Sequence, residues 1–125
     1  MKANDLMIDD WVYNKNIDKP MQVYPMMISQ MFRQTPDVTT EDYNIFPIPL
    51  TPGILEKNGF KYKEGETDMY GVKTAPHYIC DDVPFEVFCD GEPFAIWFKE
   101  PINIKYVHQL QHALRLCGIE KTIEL

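Results

Sequence analysis

Two histidines late in the sequence have a spacing that suits metal chemistry. His108 and His112 lie four positions apart, so a helix would place both imidazoles on one face, where they can bind zinc if a third ligand converges. No third ligand lies nearby in the sequence, and the pair lacks the intervening glutamate of metalloprotease helices. We therefore favour two polar side chains on a solvated helix face and keep metal binding as the alternative. His108 has a further structural use, a hydrogen bond to a backbone carbonyl that would fix the helix on a sheet.

A second candidate metal group contains His77, Cys80 and Cys89. These side chains converge only if their strands are neighbours, and the alternation of a strand places His77 and Cys80 on opposite faces. We expect buried, inert thiols instead. With Cys117 the cysteines are odd in number and match no disulfide framework, which favours a reducing, cytoplasmic environment.

Nucleophilic and nucleotide chemistry have little support in the sequence. The only serine, Ser29, lies in an apolar run without the glycines of a nucleophile elbow. The glycines are isolated, so neither a phosphate-binding loop nor a dinucleotide fingerprint occurs. We predict a protein that is not an enzyme and needs no cofactor.

The charge of the chain argues against nucleic acid and membrane surfaces as partners. Twelve Lys and Arg against 19 Asp and Glu give a net charge of -7, which repels phosphates. No apolar run approaches the roughly 18 residues that a membrane span needs. Nucleic-acid binding remains an alternative that requires a cluster of basic residues. Those residues are Lys15, Lys19, Arg33, Lys57 and Lys61.

Recognition of another protein is the function class that remains. Aromatic residues make up 13% of the chain, and it contains seven methionines, side chains that form adaptable contact surfaces. The predicted interaction surface consists of Trp11, Tyr13, Met26, Met27, Met31 and Phe32. The alternative, which stays open, is that these residues fill a core. The partner would be an unidentified protein or a second copy of the chain, bound at a sheet edge or at the methionine-rich face.

The amino-terminal part of the chain is predicted to be rich in strands. Apolar residues at 6–13 and 21–24 indicate two strands joined by a polar loop. At 26–33, Met27 and Met31 share a helical face, but the run is apolar enough for a buried strand, which we favour. Residues 34–44 are polar and predicted to form a loop.

The centre of the chain carries the clearest local helix signal. Thr51 can cap a helix, Pro52 has no amide to leave unpaired there, and Gly59 can take the left-handed conformation that ends it. These residues predict a helix at 52–58. The residues expected to anchor this helix in the core are Ile54, Leu55 and Phe60.

An antiparallel meander is predicted after this helix. Alternating apolar residues at 85–89 and 94–98, with Asp90 and Gly91 between them, indicate a hairpin. Residues 77–80 would add a strand beside it, and 60–62 would pair with 69–72. These connections are too short for the crossover helices of a parallel sheet.

The last helix is predicted at 106–117 from its apolar stripe, with Gly118 as its end. His108, Gln111, His112 and Arg115 fall on the opposite face. Residues 119–125 alternate between apolar and polar side chains, as in a short edge strand. Together these elements predict an α+β fold in one domain, 1–125, with a β-rich part at 1–50 and a second part at 51–125. The last helix would pack on the sheet.

Three islands of the sequence resemble one family of small uncharacterised proteins carried by phages, prophages and mobile elements of gut anaerobes. They are Leu-Met-Ile-Asp-Asp-Trp-Val at 6–12, Pro-Ile-Pro-Leu-Thr at 47–51 with Gly-Phe at 59–60, and Tyr-Val-His-Gln-Leu-Gln at 106–111. Members more often have glycine where this chain has Asp9, and often an acid where it has Gly53. The resemblance implies an intracellular accessory protein whose amino-terminal part is similar to a small SH3-like barrel. It implies no catalytic residue.

Overall fold

The computed structural model describes residues 1–2, 5–32, 39–89, 93–97 and 101–125, and for Met31 and Phe32 it describes the main chain alone. Its helices and antiparallel sheets confirm the α+β class. By proximity the chain divides into unit 1, Met1–Pro49 with Tyr106–His112, and unit 2, Leu50–Lys105 with Ala113–Leu125. The prediction of one domain over 1–125 stays a prediction.

Unit 1 contains an antiparallel sheet in the order β2-β1-β3. Its strands are β1 (Trp11–Asn14), β2 (Lys19–Gln22) and β3 (Ile45–Pro47). Prolines occur in β2 and β3, the two edge strands, where one side of the strand needs no ladder amide. In the part of unit 1 that the structure describes, the sheet is open and no closed barrel is found, so the SH3-like detail stays a prediction.

One buried cluster fills unit 1. It contains Leu6, Val12, Val23, Met27 and Ile45. Val12 lies on the central strand, opposite Met21 of β2 and Pro47 of β3, so both pairings bring apolar residues to the same place. The cluster explains why the register is fixed, since a slip of one residue would turn Val12 out of the core.

The prediction of a strand at 26–33 was wrong, because these residues form helix α1 (Pro25–Phe32). Pro25 begins the helix, a position where its missing amide costs nothing. Met27 is buried while Met26 and Ser29 are exposed, which is the period of a helix and not that of a strand. In the predicted loop 34–44, a short 3-10 helix covers Thr40–Tyr43, and residues 34–38 lie outside the described part.

The predicted central helix is confirmed as α2 (Pro52–Lys57). The Thr51 hydroxyl accepts a hydrogen bond of 3.2 Å from the amide of Ile54, and Gly59 follows with a φ of 89°. Leu55 and Phe60 are buried and Ile54 is half-buried, so the expected anchors lie in or beside the core.

Unit 2 contains a second antiparallel sheet, in the order β4-β5-β6-β7-β8. Its strands are β4 (Lys61–Lys63), β5 (His77–Ile79), β6 (Val87–Phe88), β7 (Phe94–Trp97) and β8 (Pro101–Ile104). The predicted pairing of the β6 and β7 segments is confirmed, with Val87 opposite Ile96, both buried. The predicted turn residues Asp90 and Gly91, and Phe98, lie outside the described residues. Strand β8 was not predicted.

The predicted pairing of 60–62 with 69–72 was wrong. Strand β4 pairs with β5 instead, with Tyr62 opposite Tyr78, and residues 69–70 form a turn. The side chain of Asp68 accepts hydrogen bonds from amides that a strand would direct to a neighbouring strand.

The last helix is confirmed as α3 (Val107–Leu116), followed by Gly118 with a φ of 71°. Its predicted solvated face was wrong in part, since His108 and Gln111 are buried. The predicted edge strand at 119–125 was also wrong. The Asn58 side chain bonds both the amide and the carbonyl of Glu124, at 2.7 Å each, and so takes the groups that a ladder would use. None of the described helices is long and apolar enough to cross a membrane.

Candidate functional site

Residues 68–72 of unit 2, here called the 68–72 turn, form a closed turn around Asp68. Its carboxylate accepts hydrogen bonds from the amides of Tyr70 and Val72, at 2.9 and 3.0 Å. Its main chain adds two more, from its amide to the carbonyl of Val72 at 2.9 Å and to its carbonyl from the amide of Gly71 at 3.1 Å. Gly71 has a φ of 78°, which a residue with a Cβ adopts at a cost. One aspartate and one glycine therefore hold this turn.

The arms that carry the turn are joined at their base. Thr67 bridges to Lys73, and the amide of Thr74 donates to the carbonyl of Glu66 at 2.8 Å. A Cβ at Gly65 would stand 1.7 Å from the carbonyl oxygen of Thr74, so only glycine permits this approach of the two arms. The turn is thus supported from base to tip by local bonds.

The 68–72 turn presents apolar side chains to solvent. Met69 is 89% exposed, Tyr70 84% and Val72 63%. Exposed apolar residues are ordinary when scattered singly, but a group of three on one short closed turn is a feature of recognition surfaces. We call these three residues the apolar tip.

The predicted interaction surface is only partly exposed. Met26 is exposed, Trp11 and Tyr13 are half-buried, and Met27 belongs to the core of unit 1. The assignment of Met27 to this surface was therefore wrong, because helix α1 directs the Met27 side chain into the core. The side chains of Met31 and Phe32 lie outside the described residues. The apolar tip was missed, although Asp68 and Gly71 occupy the first and last positions favoured in a type I turn.

Of the residues predicted on the polar face of α3, His108, Gln111 and His112 lie within unit 1. Gln111 binds main-chain groups there. Its Oε1 accepts from the amide of Trp11 at 2.8 Å, and its Nε2 donates to the carbonyl of Asp9 at 3.0 Å. Asp9 has a φ of 71°, the left-handed conformation that glycine adopts more easily. The glutamine thus holds the helix against the turn that precedes β1.

His112 makes a second connection to the same turn. Its Nε2 lies 2.6 Å from Oδ2 of Asp10, a carboxylate that is fully buried. The same Oδ2 accepts from the amide of Met7 at 2.8 Å. A buried carboxylate needs such partners, so the Asp10–His112 pair serves first to satisfy the charge.

His108 lies beside this pair and borders a cleft. Its ring is 5.5 Å from that of His112 and is stacked on Tyr106 at 5.9 Å. The cleft has a volume of about 490 Å³ and is lined by Asp5, Met7, His108, Gln109 and His112. Nδ1 of His108 is buried without a hydrogen-bond partner among the described residues, so this nitrogen does not bond a described carbonyl.

Burial lowers the pKa of His108 below its ordinary value of 6.5, and the charge of Asp10 opposes this only in part. The neutral imidazole is therefore favoured in the folded protein. Among the described residues, no group of three His, Cys, Asp or Glu side chains is placed to hold a metal ion. The metal alternative at His108 and His112 thus gains no support from this cluster.

The other candidate residues lie in unrelated surroundings. Nδ1 of His77 lies 2.9 Å from the carbonyl oxygen of Ala75, and the Cys80 thiol donates to Asp82 at 2.7 Å. The pKa of the Cys80 thiol is raised, mainly by burial and to a smaller extent by its hydrogen bond to Asp82, as expected of an unreactive cysteine. Of the basic residues that the nucleic-acid alternative requires, Lys15 lies over the ring of Phe46 at 4.5 Å and Lys57 bonds the carbonyl oxygen of Leu125. Arg33 lies outside the described residues.

Comparisons of the chain with protein-family models, with curated proteins and with solved structures found no match.

Proposed function

We propose that the chain is a non-catalytic interaction module that inserts the apolar tip into an apolar pocket of a partner protein. One observation carries the proposal: Met69, Tyr70 and Val72 are exposed on a turn that Asp68 closes with four hydrogen bonds. A turn that is already shaped loses little conformational entropy when it binds.

The residue types of the tip suit a binding hot spot. Tyrosine is enriched among the residues that dominate interface energies, and methionine adapts to irregular pockets. Truncating a hot-spot residue weakens binding by about 2 kcal/mol or more. The tip therefore supports a specific contact even if the interface around it is small.

The proposed setting follows from the three islands of resemblance. They favour an accessory protein of a phage, prophage or mobile element that acts in the cytoplasm of its bacterial host, with an SH3-like amino-terminal part. The charge of -7 favours a protein partner with a neutral or basic surface over nucleic acid.

The test is affinity capture from a lysate of the bacterium that encodes the chain. Wild-type protein is compared with the double variant Met69→Ser, Tyr70→Ser, and with Leu116→Ser as the matched control, because Leu116 is an apolar residue that is 81% exposed at the end of α3. We expect the double variant to capture less partner than wild type by a factor of about ten or more, and the control to capture as much as wild type.

Two variants of Asp68 separate the shape of the turn from its side chains. Asp68→Asn keeps the Oδ1 acceptor and should bind like wild type, whereas Asp68→Ala frees the amides of Tyr70 and Val72 and should bind more weakly. If the bound protein is a second copy of the chain, sedimentation will show wild-type oligomers and a monomeric double variant. Equal capture by wild type and the double variant would contradict the proposal, as would an equal loss of capture in Leu116→Ser.

A further inference from the structure

We propose that Met69 is an oxidation-sensitive site, and that its conversion to the sulfoxide by a hydroperoxide prevents the apolar tip from docking. The inference rests on the proposed function, since it describes regulation of the same surface. The order in which the methionines are oxidised is measured without any partner.

The methionines differ in their access to an oxidant. Met69 is the most exposed of those described, Met26 and Met7 follow with 65% and 44%, and Met27 is 7% exposed in the core of unit 1. Access and thioether exposure govern methionine oxidation, so Met69 should react first and Met27 last. Among the described methionines, the first oxidation event therefore falls on the tip and leaves the core intact.

The reaction needs only the thioether and a hydroperoxide such as hydrogen peroxide. A lone pair of the Met69 sulfur attacks the outer peroxide oxygen, a sulfur–oxygen bond forms, and the oxygen–oxygen bond breaks. The hydroxide that leaves takes the proton from the oxygen now bound to sulfur and departs as water. Sulfur is oxidised by two electrons and the peroxide is reduced by two. The product is a sulfoxide that a methionine sulfoxide reductase can return to the thioether.

The consequence for docking follows from polarity. A sulfoxide oxygen is a strong hydrogen-bond acceptor, and placing it in an apolar pocket without a donor leaves it desolvated and unpaired. Because the proposed contact is made by Met69, Tyr70 and Val72, the Met69 sulfur lies within it. Oxidation should thus act like a polar substitution at the same position.

The first experiment measures the order of oxidation in the full chain. Wild-type protein is titrated with hydrogen peroxide, and the sulfoxide at each methionine is quantified by peptide mass spectrometry while circular dichroism monitors the fold. We expect Met69 to reach half conversion before Met26 and Met7, and about tenfold earlier than Met27, with the fold unchanged at that point. Oxidation of Met27 before or together with Met69 would overturn the inference.

The second experiment measures docking with the lysate partner that wild type captures through its tip. Met69→Leu keeps an apolar side chain and should bind with and without peroxide, whereas Met69→Gln should bind about tenfold less well without any oxidant. Met7→Leu is the matched control, because Met7 is 44% exposed and lies outside both the apolar tip and the predicted interaction surface, and it should lose binding on peroxide treatment as wild type does.

The outcomes separate the two proposals. If capture does not depend on the tip at all, the proposed function fails and this inference fails with it. If capture depends on the tip but peroxide leaves wild-type binding unchanged, the proposed function stands and the oxidation switch is wrong. Persistent peroxide sensitivity of Met69→Leu would also refute it, because the sensitive methionine would lie elsewhere.

Discussion

Gly53 and Gly118 both have room for a methyl group, yet their backbone conformations differ. A Cβ at Gly53 would meet only Thr51 Oγ1 at 3.9 Å, and none of the described atoms lies within 4 Å of one at Gly118. Gly53 lies in the first turn of α2, where alanine is the better helix former, whereas Gly118 has a φ of 71°. We expect Gly53→Ala to raise the free energy of unfolding by roughly 0.5–1 kcal/mol and Gly118→Ala to lower it by about 1 kcal/mol.

Urea denaturation of both variants beside wild type measures the two effects. Equal signs for the two substitutions would contradict the argument, because only the backbone conformation distinguishes the sites. An acid at position 53 should also stabilise the first turn of α2 through the helix dipole.

His108 should make the stability of the chain depend on pH. Its pKa is lowered in the folded state by burial, while Asp10 and Asp5 raise it and His112 and the terminal amino group lower it. Near pH 6.5 the unfolded chain is therefore protonated at His108 to a greater extent than the folded chain. As a result, the free energy of unfolding falls as the pH falls through 6.5. The decrease ends below the folded-state pKa, where both states are protonated. One proton contributes a slope of at most about 1.4 kcal/mol per pH unit.

The measurement is urea denaturation of wild type and His108→Gln between pH 7.5 and 5. We expect the variant to have the smaller slope, even if its stability at pH 7.5 is lower. Parallel curves for the two proteins would show that His108 does not carry the pH dependence.

At the scale of elements, Asn58 decides the conformation of the tail. Its Nδ2 donates to the carbonyls of Ile54 and Glu124, and its Oδ1 accepts from the amide of Glu124, all at 2.7 Å. These bonds hold Ile123, which is buried, without a strand. We expect Asn58→Ala to cost about 1–3 kcal/mol of unfolding free energy, and Asn58→Asp to cost more at pH 7, because its carboxylate would set a charged acceptor against the carbonyl oxygens of Ile54 and Glu124.

Limited proteolysis and hydrogen exchange at 119–125 measure the release of the tail in the two variants. An Asn58→Ala protein with a tail as protected as in wild type would show that Ile123 alone holds it.

The elements with local signals, namely α2, α3 and the β6–β7 pairing, were predicted, because caps, turn residues and side-chain period act over a few positions. Helix α1 was missed because a short apolar run suits a helix and a strand equally.

At the scale of the whole molecule, α3 contributes its first turns to unit 1 and its end to unit 2. A helix interrupted at its middle loses hydrogen bonds on both sides of the break, so we expect the two units to unfold together, as one domain over 1–125 would. Hydrogen exchange of the Val12 and Val87 amides, both in buried strand positions, measures this. Equal opening free energies would support one cooperative domain, and values that differ by more than about 1 kcal/mol would indicate two.

The sequence by itself determined the α+β class, the capped helices and the absence of a recognisable nucleophile or nucleotide motif, since these depend on neighbouring residues. Tertiary structure decided which polar groups are buried: Gln111 finds its partner at Trp11, 100 positions away, and Asn58 finds Glu124 66 positions away. It also turned Met27 into the core and left Met69 and Tyr70 in solvent. The type of a side chain determines which groups it can contact. Which groups are close enough for contact depends on the tertiary structure, because packing and desolvation act between residues that are distant in sequence.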